Sequence, residues 1–274
     1  MLKDIPTSRL EEVNDVVDLV GLEEATRICR VSPQTIKRYT SELKKRQSDD
    51  VVIGIIGDTH IPFCHERYLD FVYDTFQKYK VNKVIHIGDL VDNHCISRHQ
   101  TETSAMSPTE EYELAKVKIR RWTEAFPEVT LMKGNHDDIP ARQLSSLGIP
   151  ECFLKSFNDL WELPDTWVVK EEMIFNDCWF FHGVGSTGKT PGFNRALNNR
   201  MSTIQGHVHS AFGCMYHANQ RDVVFGLDVG CGIDSEKYAF AYGKAFPKKP
   251  ILGCGIVFSN TQAVAVPMGN KYFG

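Results

Sequence analysis

The sequence predicts a layered α/β body preceded by a small helical segment, on three observations. Short β-branched runs end in small or polar residues: "VVIGIIGD", "KVIHIGD", "VTLMKGN", "MIFNDCWFFHG" and "MSTIQGH". Helical stretches, "ERYLDFVYDTFQKY" and "PTEEYELAKVKIRRWTEAF", stand between the first three. Such alternation implies parallel pairing, and near-continuous apolar strands imply sheets covered on both faces. Finally, "RDVVFGLDVG", "GCGIVFSN" and "AVAVPM" follow one another without long intervening helices, which predicts a second, more antiparallel sheet.

The helical segment comes first, over residues 1–48. In "RLEEVNDVVDLVG" the apolar residues Leu10, Val13, Val16, Val17 and Val20 recur at helical spacing, and Gly21 suits a helix end. "LEEATRICRV" supplies a second short helix. Ser32 followed by Pro33 reads as an N-cap and first helical position. The third helix, "QTIKRYTSELKKR", puts Ile36, Tyr39 and Leu43 on one face. This succession is similar to a helix-turn-helix, whose last helix would offer Gln34, Lys37, Arg38, Lys44 and Lys45 to a nucleic acid. Over 1–49 there are nine basic and nine acidic residues, with the acids early and the bases late. A helical cap or dimerisation element with a solvated basic face is the competing reading. "RQSDD" (46–50) reads as a linker to the body, 51–274.

Composition narrows the function classes. Of 274 residues, 42% are hydrophobic and 24% charged, as in an ordinary soluble globular protein. No apolar run approaches the ~18–20 residues that span a bilayer, and "MLKDIPTSRLEEVND" lacks the apolar core of a signal peptide. A cytoplasmic protein without a membrane partner is expected. The eight cysteines are scattered without a C-x-x-C pair, so buried thiols are expected rather than disulfides or a zinc knuckle. A net charge of -4 argues against a generally basic nucleic-acid binder but permits a local basic patch.

The chemistry gathers at the strand ends. The first strand gives "GDTH" (Asp58, His60), the second "GDLVD" (Asp89, Asp92) and the third "GNHD" (Asn135, His136). The fourth gives His182, and the fifth "GHVH" (His207, His209). In open α/β sheets ligands collect beyond the carboxyl ends of strands, so these distant residues can converge. Carboxylate, imidazole and amide oxygen suit Mn, Fe, Zn, Co or Ni, and the lack of thiolates argues against a structural zinc. Several such ligands with a shared carboxylate can hold two ions about 3.5–4 Å apart, the geometry of phosphoryl chemistry.

D-x-H, G-D-x-x-D, G-N-H-[DE], a lone His and G-H-x-H, in this order, resemble the motif series of the calcineurin-like metallophosphoesterases. The resemblance runs from about Val51 to Met268. It implies a four-layer αββα sandwich and two divalent ions, Mn, Fe or Zn, with Mn expected in vitro. By position, Asp58, His60 and His209 would hold one ion, Asn135, His182 and His207 the other, and Asp89 would bridge them. His136 would be the catalytic histidine and Asp92 its carboxylate partner. The implied reaction is attack of a metal-bridging hydroxide on a phosphate ester. Joined to the helical segment, the site points to phosphodiesters of nucleic acid or nucleotides, with DNA or RNA as partner. The alternatives are a phosphomonoesterase or protein phosphatase, and a DNA-binding regulatory protein on an incidental phosphoesterase fold. The Arg that phosphoprotein phosphatases carry directly after G-D-x-x-D is replaced by Asn93, and Asp137 rather than Glu follows "GNH"; both depart from the protein-phosphatase pattern.

One further motif competes. "GVGSTGKT" (183–190) matches the phosphate-cradling pattern G-x-x-x-x-G-K-[ST]. Pro191 follows directly and pushes Thr190 away from helical geometry, where a P-loop opens a helix. The match is therefore read as coincidence, with His182 as the informative residue and Lys189 as a candidate substrate contact. Arg98 and His99 are candidate substrate contacts too, and His65 and His94 candidate pocket residues. Asp137 is expected to cap a helix, Cys231 to be a buried thiol, and the glycines of "GLDVGCGID" to relieve strand packing.

Overall fold

The computed structural model describes residues 5–49, 51–97, 106–234 and 249–272. The chain divides into two compact units, Met1–Val51 and Val52–Gly274. In the first, α1 (Thr7–Cys29) is interrupted at Gly21, whose φ of 80° and ψ of 168° leave two helical segments. Glycine supplies this positive φ without a Cβ penalty. Arg30, left-handed, ends the second segment. Ser32 Oγ then accepts the Thr35 N–H at 3.2 Å and starts α2 (Pro33–Asp49). Val13, Ala25, Cys29 and Ile36 form the core of this unit, with Leu22, Val31 and Tyr39 against it. Gln34, Lys37 and Arg38 are left exposed on α2, the same helix that contains Lys44 and Lys45.

In the second unit the described strands are β1 (Ile53–Ile56), β2 (Lys83–His86), β3 (Val129–Met132), β4 (Trp167–Lys170), β5 (Glu172–Phe175), β6 (Cys178–Phe181), β7 (Ser202–Gln205), β8 (Phe212–Ala218), β9 (Val223–Val229), β10 (Gly253–Ser259) and β11 (Gln262–Pro267). One sheet has the order β11-β10-β1-β2-β3-β4, the other β5-β6-β7-β9-β8. β1 to β4 pair in parallel, as do β6, β7 and β9. The expected assignment of the late strands needs correction. Only β9 belongs to the second sheet, whereas β10 and β11 extend the first as antiparallel neighbours of β1. "MIFNDCWFFHG" is likewise not one strand but the hairpin β5–β6. It turns at Asn176 and Asp177, both at positive φ, the signature of a tight two-residue turn.

Four layers follow from the side chains. Helices α3 (Tyr68–Tyr79) and α4 (Pro108–Ala125) cover one face of the first sheet. There Phe71, Phe76, Ile119 and Trp122 bury themselves with Ile56, Leu131, Trp167 and Ile256, each contributing roughly 1.5–3 kcal/mol. The other face meets the second sheet so closely that a Cβ at Gly255 would stand 2.8 Å from Val229 Cγ1. Two short helices, α5 (Ile139–Ser146) and α6 (Phe157–Trp161), follow β3. The fourth layer is α7 (Pro191–Asn199), whose Phe193 backbone lies directly on Gly226 of β9. The second unit is thus the four-layer αββα sandwich. Gly226, Gly230 and Gly232 all sit where a side chain would collide with a neighbour, and Cys231 is a buried thiol.

Candidate metal centre

Five loops leave the carboxyl ends of β1, β2, β3, β6 and β7 and turn inward at once. His60, Asp89 and His207 take positive φ values of 45°, 48° and 66°. Non-glycine residues cost of order 1–3 kcal/mol there and persist where surroundings over-determine them. The motif glycines make room: a side chain at Gly134 would collide with Asp89 Oδ1, and one at Gly206 with Asp58 Oδ1.

The loops bring three groups of donor atoms together, each within 4.8 Å: Asp58, His60, Asp89 and His209; Asp89, His182 and His207; and His60, Asp92 and His136. Asp89 belongs to the first two groups, with Oδ2 3.4 Å from His60 Nε2 and 3.1 Å from His182 Nε2. His209 Nε2 lies 3.1 Å from Asp58 Oδ2 and 3.2 Å from His60 Nε2. Asn135 Oδ1 lies 3.1 Å from His182 Nε2.

The donor set has the character of a cation site. His182 Nδ1 faces the Ile87 carbonyl at 3.1 Å, so it carries a proton and donates. The ring's Nε2 then faces two acceptors, Asp89 Oδ2 and Asn135 Oδ1, and only a proton or a cation on that side satisfies all three. His60 repeats the pattern, with Nδ1 2.7 Å from Asp92 Oδ1 and Nε2 turned to the cluster. A ring nitrogen held by carboxylate or carbonyl while the other points inward is the habit of metal-binding histidines. Asp58 Oδ1 is buried without a hydrogen-bond partner among the described residues, a further acceptor suited to a positive charge. The residues present therefore fit divalent ions.

The buried carboxylates and histidines set one another's protonation. Burial alone would lower the His182 pKa, but Asp89 and Asp58 reverse this and raise it to about 10. Burial favours protonated Asp58 and Asp89, yet the His182 charge beside them holds both below the usual carboxylate range. His60 goes the other way: burial, reinforced by His136, keeps it well below its ordinary value.

Behind the donors lies a second set of contacts, part of which sequence reading missed. Asp92 was expected to partner His136. Its carboxylate is 3.4 Å from His136 Nδ1 but 2.7 Å from His60 Nδ1, while its main-chain carbonyl accepts from His136 Nδ1 at 2.6 Å. Asn93 Nδ2 donates to the His136 carbonyl at 2.9 Å, so this residue holds the third loop. Asp137 is not a helix cap. It is buried, accepting from Gly134 N at 2.8 Å and Val91 N at 3.2 Å, and burial raises its carboxyl to about 7. His86, unremarked in the sequence, is fully buried. Its Nδ1 accepts the Gly88 N–H at 3.2 Å, so its Nε2 carries the proton and donates to Thr59 Oγ1 at 3.0 Å. Thr59 passes its own proton to the Leu90 carbonyl at 2.9 Å. Burial lowers the His86 pKa to about 3, keeping it neutral. A lone polar residue in the apolar run "VIHIG" was the available signal.

The other candidates separate clearly. Gly192 N–H, at the start of α7, donates to Asp228 at 3.0 and 3.3 Å. A carboxylate thus already stands where a P-loop would bring phosphate to a helix N-terminus. Lys189 is exposed and shows no hydrogen bond or ion pair among the described residues. His65 and Lys118 line a cleft of about 150 Å³ with Ile61, Leu69, Arg121 and Trp122. His94 donates its main-chain N–H to buried Glu111 at 3.0 Å, and its Nε2 is buried without a partner among the described residues. Arg98 and His99 lie outside the described residues.

A family model for calcineurin-like phosphoesterases matches residues 51–229, and the chain belongs to that family. No curated protein sequence matches it. Similar solved structures include a metallophosphoesterase from Sphaerobacter thermophilus, 18% identical over 80% of this chain and 88% of the other, TM-score 0.40. Vacuolar protein sorting 29 from Cryptosporidium parvum is 11% identical over 80% and 92%, TM-score 0.43. The Pseudomonas putida nuclease MPE is 14% identical over 81% and 89%, TM-score 0.34. Family membership suggests a phosphoester hydrolase with a dinuclear divalent metal site. Among the described residues no helix is long and apolar enough to cross a membrane.

Proposed function

We propose that the protein is a dinuclear metal-dependent phosphodiesterase acting on nucleic acid or nucleotides. One observation carries the reading: four strand-end loops converge their donors on two groups that share Asp89, and the loop after β3 sets Asn135 Oδ1 3.1 Å from His182 Nε2. In this reading Asp58, His60 and His209 would hold one ion, Asn135, His182 and His207 the other, and Asp89 would serve both. When bound, such ions, manganese being the one expected in vitro, supply Lewis acidity and lower the pKa of bound water.

The chain's own residues do the rest. His60 is oriented by Asp92, and His182 by the Ile87 carbonyl. His136 has Nδ1 committed to the Asp92 carbonyl, so Nε2 is the atom that faces the ester. Asp89 and Asp92 raise its pKa against the effect of burial and so favour the protonated ring. That proton, delivered to the leaving oxygen, is worth roughly 10²–10⁴-fold. The exposed Gln34, Lys37 and Arg38 of α2, following a three-residue turn, support a nucleic-acid contact by the helical unit.

The test is a substrate panel with manganese-loaded full-length protein: single-stranded DNA, RNA, cyclic nucleotides, bis-p-nitrophenyl phosphate and p-nitrophenyl phosphate. Preferred hydrolysis of diesters supports the reading. Turnover of monoesters alone contradicts it. Charge reversal at Lys37 and Arg38 should weaken DNA binding and flatten its salt dependence; unchanged binding removes the helical unit from the account.

A further inference from the structure

Arg142 stands on α5, one turn beyond the loop that carries Asn135 and His136. Its Nη2 donates to the Asn135 main-chain carbonyl at 2.5 Å, and its Nε lies 3.7 Å from Asp138 Oδ2. The side chain is still 58% exposed. A guanidinium has five N–H donors, and the contacts named engage one at hydrogen-bond distance. The group is thus a cation anchored to the backbone of a donor residue of the metal centre, on a side chain more than half exposed.

Two other cations are placed differently. Lys133 Nζ is 2.5 Å from Asp138 Oδ1 and 3.8 Å from Glu171, and is mostly buried. Lys189 is exposed with no anchor among the described residues. Asn93 is turned inward onto the His136 carbonyl. Among the described residues Arg142 is therefore a pre-organised cation beside this loop, and a guanidinium suits phosphate because its planar donors match the oxygens.

Resting on the phosphodiesterase reading above, we infer that Arg142 grips a phosphate next to the scissile one. The substrate is then a strand with successive phosphates, DNA or RNA, rather than a cyclic mononucleotide or an isolated diester. Anchorage of Arg142 by the Asn135 carbonyl fixes the distance between the two phosphate positions, so the same contact that steadies the loop sets substrate class.

The experiment compares wild type, Arg142→Gln and Arg142→Lys on a short single-stranded oligonucleotide and on bis-p-nitrophenyl phosphate, across a range of KCl concentrations. Arg142→Gln is expected to lose kcat/KM on the oligonucleotide by about tenfold more than on the small diester, as for a hydrogen bond to a charged group. Its plot of log kcat/KM against log salt flattens by about 0.7 for the oligonucleotide, the value of one lost phosphate contact on a single strand. Arg142→Lys retains the salt slope. A labelled oligonucleotide titrated onto the metal-free proteins reports the same difference in slope without turnover. Equal losses on both substrates, or an unchanged slope in Arg142→Gln, overturn the inference while leaving the phosphodiesterase reading intact. Absence of hydrolysis of either diester by wild type overturns both. Should Arg142→Gln fail to fold, the substrate ratio of Arg142→Lys decides: the loss of the planar donors should cost more on the oligonucleotide than on the small diester, whereas a purely structural role predicts parallel losses.

Discussion

Asp92 Oδ1 lies 2.7 Å from His60 Nδ1, and the main-chain carbonyl of the same residue lies 2.6 Å from His136 Nδ1. One residue thus orients two histidines by two different atoms. The carboxylate is buried, and burial raises its pKa to about 6 against the pull of His136. Its side chain serves His60, whereas its backbone serves His136.

This division predicts separable phenotypes. Asp92→Asn removes the charge behind His60 but keeps the carbonyl behind His136. Manganese affinity should fall about 10–100-fold, the usual effect of losing a partner to a metal-binding histidine. His136→Gln should keep its metal and lose roughly 10²–10⁴ in kcat on a diester. Calorimetric metal titration beside steady-state kinetics separates them. Unchanged affinity in Asp92→Asn with a lowered kcat would assign its side chain to His136 instead.

His86 ties two loops through Thr59. Replacement by Leu leaves the Gly88 N–H without its acceptor and Thr59 Oγ1 without its donor, both in a fully buried setting. The expected cost is roughly 2–4 kcal/mol, read by urea unfolding of the metal-free protein. A loss below about 0.5 kcal/mol would show that the relay adds little to holding the loops.

Asp228 is predicted to make stability depend on pH. Burial raises its folded-state pKa to about 6, above the ordinary 3.8. The folded chain therefore binds this proton more tightly than the unfolded chain. The resulting stabilisation is full below about pH 4 and disappears as pH rises through 6. Asp228→Asn removes the dependence while keeping an acceptor for Gly192. Relative to wild type, the variant should gain roughly 1–3 kcal/mol between pH 4.5 and pH 8. Parallel stability curves would contradict this.

How much was legible follows from what sequence patterns encode. Asp58, His60, Asp89, Asn135, His136, His182, His207 and His209 announce themselves because each closes a short apolar run, and the two packed sheets bring such ends together. The hairpin at Asn176–Asp177 was hidden inside a continuous apolar run, although its two turn residues were the clue. The placement of β10 beside β1 was not legible, since antiparallel strands without linking helices fit either sheet by pattern. His86, Asp137 and the double service of Asp92 depend on which atoms face which across loops far apart in sequence. Asp228 at the start of α7 is a contact of the same kind. It also bears on the P-loop letters at 183–190, where the acceptor already supplied by the fold occupies the helix end.

The central claim is that the strand-end donors hold two ions and that both depend on Asp89. The most direct measurement is metal stoichiometry by elemental analysis on wild type and Asp89→Asn after equilibration with manganese, beside bis-p-nitrophenyl phosphate hydrolysis. The account predicts two equivalents and turnover in wild type, and at most one equivalent with turnover lost in the variant. Wild type that retains no ion, or a variant that matches it in metal and rate, would contradict the account.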